Sequence, residues 1–180
     1  FQLSRDESWA LEDGMVREGS ASIEQGVGVR ALVGEKTGFA YSGEIVMPAL
    51  EEAARAARAI ATAGGSARRA PRIVARTGHQ LYLPIDPVGS LSDDDKVAWL
   101  MRVDAETRKQ DPRVVQVMAS LVSSFDVVLI ATADGALAAD IRPLVRCNVS
   151  VIVEHEGRRE VGYVGAGGRC DFLHLHAACA

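Results

Sequence analysis

An α+β fold is what this sequence predicts, with antiparallel β-sheet and two main helices packed on one face. Three observations lead there. Strand-like runs crowd both ends of the chain, two helix-like segments lie between them, and Asp-Gly dipeptides mark hairpin turns among the strands. With 180 residues, 48% of them hydrophobic, one sizeable core can be buried, so 1–180 reads as a single domain.

The elements follow in order. FQLSRDESWALE alternates apolar and polar residues, and Asp13-Gly14 supplies the positive φ angles of a tight turn into MVREGSASI. In GVGVRALV, Val27, Val29, Ala31 and Val33 share one face of a strand, leaving Gly28, Arg30 and Leu32 on the other. GEKTG turns the chain into a short strand, FAYS. Pro48 suits a first helical turn because its missing N–H would be unpaired there anyway. Leu50, Ala53, Ala54, Ala57, Ile60 and Ala61 then recur at helical spacing, Glu51 and Arg55 pair on the wet side, and Gly64-Gly65 end the helix.

The Gly-, Pro- and Arg-rich stretch 66–90 reads as a long surface connection with one short strand near Leu81 to Leu83. Ser92 caps a second helix, with Asp93, Asp94 and Asp95 at its positive end, and Asp111-Pro112 stop it after about Gln110. Three strand-like runs complete the pattern: 113–124, 125–133 and, after Asp134-Gly135, 136–157.

Charge and cysteine usage exclude several classes. Twenty Lys and Arg against 24 Asp and Glu leave a net charge of -4, which argues against a general grip on nucleic acid. Cys147, Cys170 and Cys179 are too few and too irregular for a disulfide framework and suit a reducing cytosol. No apolar run reaches the roughly 20 residues of a membrane span, and FQLSRDESW lacks the apolar core of a signal peptide. Beginning inside a strand pattern without an initiator Met, the sequence reads as a fragment.

Candidate chemistry is sparse. Cys170, His174, His176 and Cys179 put four possible metal ligands into ten residues, but their spacings match no common zinc frame; on a strand His174 and His176 would share a face. HEGRRE, from His155 to Glu160, begins like a zinc-peptidase helix yet lacks the final histidine, and Gly157 makes it a charged hairpin turn. VGAGGR, from Val164 to Arg169, is glycine-rich without the helix that a phosphate loop requires, and reads as a flexible loop or a close-approach site. Asp93 to Asp95 lack the spacing of a calcium loop. Ser8, Ser92 and His79 form no nucleophile arrangement. No catalytic constellation is present.

Four long segments in register carry a resemblance: ESWALEDGMVREGS, IEQGVGVRALVGEKTGFAY, PALEEAARAARAI and DGALAADIRPLVRCNVSVIVEHEGRREVGYVGAGGR. They closely resemble the N-terminal region of the catalytic TldD branch of the TldD/PmbA (TldE) peptidase family. That resemblance implies a zinc metallopeptidase that cuts unfolded or extended peptides, in peptide maturation and antitoxin degradation, and that works with a PmbA/TldE-like partner. The zinc motif, His-Glu-x-x-x-His with a later cysteine, would lie in a C-terminal domain absent from this chain. So no catalytic or metal residue is assigned, no cofactor is expected here, and the chain alone is expected to be inactive.

Cysteine usage, the acidic balance and the lack of a long apolar run point to a cytoplasmic protein without direct contact with nucleic acid or membrane, and the resemblance implies a heterodimer or homodimer. What this region could contribute is a backbone grip on an extended peptide by strand addition. The candidates are Gly26, Gly28 and Arg30 in the first half, and Gly165, Gly167, Gly168 and Arg169 in the second. Two other readings are a non-catalytic PmbA/TldE-like subunit and a peptide-binding or DNA gyrase-modulating module without enzymatic activity.

Overall fold

A computed structural model describes residues 1–62, 74–75 and 81–178. Strands β1 (Gln2–Glu12), β2 (Met15–Val33) and β3 (Lys36–Ser42) are followed by helix α1 (Met47–Ala61) and strand β4 (Val74–Ala75). Helix α2 (Asp93–Gln110) leads into β5 (Val114–Ala131), β6 (Ala136–His155), β7 (Arg158–Gly168) and helix α3 (Phe172–Ala178). The strands hydrogen-bond in the order β3-β2-β1-β5-β6-β4, and β7 pairs with β6. The fold is α+β, as the sequence predicts.

Local chemistry explains where elements start and turn. Asp13 and Gly14 sit at φ 50° and 72°, and Glu156 and Gly157 at 50° and 78°, so both tight hairpins use left-handed residues. HEGRRE is therefore a turn, as expected. Ser92 caps α2: its hydroxyl accepts a hydrogen bond from the Asp95 N–H at 3.2 Å and donates to the Asp95 carboxylate at 2.6 Å. Pro48 lies in the first turn of α1, where Arg55 and Glu51 meet at 2.7 Å.

Several expectations are corrected. MVREGSASI and GVGVRALV form one strand, β2, and 113–124 and 125–133 merge into β5. Leu81 to Leu83 are not a strand, and Val74–Ala75 instead pairs parallel with Ala136 and Leu137 of β6. The glycine-rich VGAGG is the end of strand β7 rather than a loop, because register pairing with β6 supplies the order that glycine itself does not. A third helix, α3, covers the segment expected to be strand or tail, so positions 174 and 176 no longer share a face. The predicted stop at Gly64-Gly65 and His79 lie outside the described residues.

The backbone divides into two compact units, each with its own core. Unit 1 comprises Phe1–Ser4, Ile23–Gln80 and Val127–Asp140. Its helix α1 lays Ala53, Ala57 and Ala61 on β3, and the approach is so close that a Cβ on Gly38 would overlap the Ala57 carbonyl oxygen and sit 2.8 Å from the Ala61 nitrogen. Val27, Val29 and Ala31 are half-buried, and Gly28, Arg30 and Leu32 are exposed, as the period-two pattern predicts, but Val33, expected on the inner face, is exposed at the strand end.

Unit 2 comprises Arg5–Ser22, Leu81–Asp126 and Ile141–Ala180. Its core joins Leu11 of β1, Leu100 of α2, Ala119 and Leu121 of β5, Val145 and Cys147 of β6, and Phe172 and Leu175 of α3. Both helices thus bury side chains against the same face of the strands.

Candidate functional site

Three places in the molecule bear on function. The first is a hollow of about 560 Å³ in unit 1, lined among others by Gly26, Gly28, Phe39, Tyr41, Leu129 and Ile130. Gly28 faces Tyr41 in the β2–β3 register and Arg30 faces Phe39. Cβ positions built on Gly26 and Gly28 would lie 3.1 Å from the Ser42 carbonyl oxygen and 3.1 Å from the Phe39 ring, so both glycines accommodate β3. Val27 to Val33 of β2 are already paired with β3, and Tyr41 remains 80% exposed above them.

The second place is β7. All but two of its residues are exposed, and among the described residues no strand pairs with its second edge. Such an edge presents backbone N–H and C=O groups ready for another strand. Gly165 and Gly167 let β7 lie close to β6, since a Cβ would come within 2.7 Å of the Asn148 side-chain oxygen at one and 2.5 Å of the Val145 carbonyl oxygen at the other. Gly168 would meet the Cys170 sulfur at 3.4 Å. The Arg169 guanidinium stacks 5.2 Å over the Tyr82 ring and donates to the Pro143 carbonyl oxygen at 3.5 Å, which ties the 81–85 segment to the strand ends.

The third place is the Cys/His ending. Asp171 caps α3: its carboxylate accepts from the His174 N–H at 2.9 Å and lies 2.7 Å from the His174 Nδ1. Burial pushes this carboxyl up, but the His174 amide, the His174 ring and the Leu173 amide outweigh it and hold it below the ordinary carboxylate range. Burial, then the Asp171 charge, push the Cys170 thiol up, which disfavours the thiolate that zinc would need. Among the described residues no group of three or more His, Cys, Asp or Glu side chains could hold a metal ion. Cys170 and the His174 ring belong to no such group, and the side chain of His176 lies outside what the structure describes. Cys179 lies outside the described residues.

A buried ion pair positions the start of α2. Lys96, 2% exposed, donates to both Glu7 oxygens at 2.8 and 2.6 Å and to the Val88 carbonyl at 2.9 Å. Trp9 Nε1 donates to Glu7 as well, and Arg5 pairs with Asp86. The 86–92 segment is thereby fastened to β1. Sequence reasoning missed this pair because nothing local distinguishes Glu7 or Lys96 from a surface charge. It also missed Tyr41 and Tyr163, whose signal was an aromatic on the outward parity of a strand. The Asp171–His174 contact had a local signal too, a capping residue three before its partner.

These features define a mostly antiparallel sheet scaffold with an open strand edge, and no metal-binding group among its described residues. The family model described as PmbA/TldA metallopeptidase domain 1 matches residues 1–61, and that described as PmbA/TldA metallopeptidase central domain matches 86–179. The chain belongs to the PmbA/TldA metallopeptidase family.

Relatives named metalloprotease TldD homolog share 49% identity over 175 residues in Haemophilus influenzae and 41% over 172 residues in Buchnera aphidicola. They match 94% and 96% of this chain, which spans only 35% of each relative's length. Among solved structures, a proposed modulator of DNA gyrase from Bacteroides thetaiotaomicron aligns over 93% of this chain and 39% of its own, with a TM-score of 0.68 at 18% identity. TldE from Thermococcus kodakarensis aligns over 94% and 39%, with a TM-score of 0.64 at 13% identity. At such identities these two establish a shared fold. Among the described residues, no helix is long and apolar enough to cross a membrane.

Proposed function

We propose that residues 1–180 act together as the N-terminal, non-metal-binding region of a TldD-type zinc metallopeptidase that hydrolyses extended peptides. The observation that carries this reading is the open edge of β7, combined with identities of 38–49% to relatives named as TldD metalloproteases. A peptide added as a strand is gripped through its backbone, so a peptidase can hold many sequences with one edge. On this reading Gly165, Gly167, Gly168 and Arg169 shape the β7 edge, and Gly26, Gly28 and Arg30 form a second contact around the hollow in unit 1. Zinc is supplied by residues outside this chain. The partner is a PmbA/TldE-like subunit or a second copy, and the compartment is the cytoplasm.

The test uses the full-length parent protein and an extended peptide substrate. Methylating alternate backbone amides of the peptide should raise KM strongly, while shuffling its side chains should change KM little. Val164→Lys, on the exposed strand, should raise KM for the unmodified peptide and leave kcat unchanged. An unchanged KM in both experiments would remove the peptide grip from β7. Absence of any hydrolysis by the zinc-loaded parent with its partner would instead overturn the catalytic reading and favour a non-catalytic subunit.

A further inference from the structure

In unit 2 one face of the sheet is buried and the other is bare. Val117, Ala119, Leu121, Val145 and Cys147 point toward α2 and α3. The alternate positions point away, and apolar groups interrupt the polar set that a water-facing antiparallel sheet usually carries. Met118 and Val122 of β5, Leu144 of β6, and Val161 and Tyr163 of β7 are exposed, with Val161 at 66% and Tyr163 at 89%. Ser150 faces Tyr163 and Ile152 faces Val161 in the β6–β7 register, so these groups form one continuous surface.

A polar row crosses that surface. Arg146 donates to the Asn148 side-chain oxygen at 2.8 Å, and Asn148 donates to the Ser120 hydroxyl at 3.4 Å. Gly165 keeps the row level, because a Cβ there would press on the Asn148 oxygen at 2.7 Å and on the Arg146 guanidinium at 3.2 Å. A hollow of about 470 Å³ opens beside it, bordered by Met118, Ser120, Asn148 and Tyr163. Apolar groups around a satisfied polar row match the composition of contacts between domains of one chain, which are more polar than obligate subunit interfaces.

We infer that this bare face is the docking surface for the domain that follows in the same polypeptide. The occupant is chosen on two grounds. The segment 86–179 matches a central domain, a description that places a further domain beyond it, and this chain spans 35–39% of the length of its relatives. A continuous surface carrying Met118, Val122, Leu144, Val161 and Tyr163, left open, would be an aggregation hazard in a lone monomer. The inference does not rest on peptidase activity and stands or falls separately from it.

The experiment is thiol labelling of the full-length protein, purified as a single subunit, with the labelled sites located by mass spectrometry. Tyr163→Cys reports the bare face, and Lys109→Cys, at a position 67% exposed on α2, reports the helix side. Docking predicts that the thiol introduced at position 163 labels on the order of tenfold or more slowly than the one at position 109. Equal rates in the single subunit would overturn the inference, whether or not a second subunit later slows labelling at 163; slowing by the second subunit alone would assign the face to that partner. Hydroxyl-radical footprinting of the unsubstituted full-length protein supplies an independent reading: the side chains of Met118 and Tyr163 should be shielded from oxidation in the single subunit, and rapid oxidation there would overturn the inference even if the variant misfolds.

Discussion

The two units of this chain build their cores in opposite ways. Unit 1 holds α1 on β3 through Ala53, Ala57, Ala61 and Gly38, a contact made of absent side chains. Unit 2 holds α2 and α3 on its strands through Leu, Val and Phe, and adds the buried pair of Glu7 and Lys96. The difference teaches that tolerance runs in opposite directions. Unit 1 should fail when a small residue grows, and unit 2 when a large or charged partner is removed.

The largest effect should come from unit 2. Lys96→Met leaves the Glu7 carboxylate, 6% exposed, without its cation, and breaking a buried pair from one side typically costs about 3–5 kcal/mol. Urea denaturation should show the midpoint fall accordingly. The double replacement Glu7→Leu with Lys96→Met should recover much of the loss, and failure to recover would mean that the Val88 carbonyl and Trp9 contacts matter more than the pair.

Next comes Gly38→Ala in unit 1. One added methyl meets backbone atoms of α1, which cannot rotate aside, so about 1–3 kcal/mol should be lost by overpacking. The same change at Gly28 meets a movable Phe39 ring and should cost less. Equal losses at the two positions would break the claim that backbone contact sets the penalty.

The smallest effect is electrostatic and lies at the surface. Hydrogen bonds from the Arg113 side chain, then from its amide, lower the Asp111 carboxyl from 3.8 to about 2. A carboxyl depressed in the folded state contributes stability above its unfolded pKa, and that contribution is lost as pH falls from about 3.8 through about 2. Carboxyl carbon shifts followed by NMR should give Asp111 a midpoint near 2, and Asp111→Asn should flatten the acid limb of the stability curve in that window.

How much was legible in the sequence depended on whether the determining forces were local. Helix α2 could be read end to end, because Ser92 caps it and Pro112 forbids its continuation. The Asp13-Gly14 turn was legible for the same reason. Strand β7 was not, since VGAGG has no strand propensity of its own and owes its conformation to eleven register pairs with β6. Its glycines suggested a close-approach site, and the approach found in the structure is that of β6 on β7. The pairing of Val74–Ala75 with β6 also lacked any local sign. The family resemblance was legible because it rests on long runs in register, whereas the buried Glu7–Lys96 contact joins residues 89 apart and only the fold reveals it.

Asp13 spans two stages of folding. Its backbone makes the first hairpin turn, while its carboxylate accepts from the Val117 N–H at 3.0 Å and from the Arg108 guanidinium. The turn is local and can form at once. The clamp must wait for residues 95 and 104 positions away. Relative to a loop of about 13 residues, closing one of 104 takes three doublings of length and costs about 2 kcal/mol more in chain entropy. One side chain therefore takes part in both the earliest and the latest kinds of contact that this chain makes on its way to the native state.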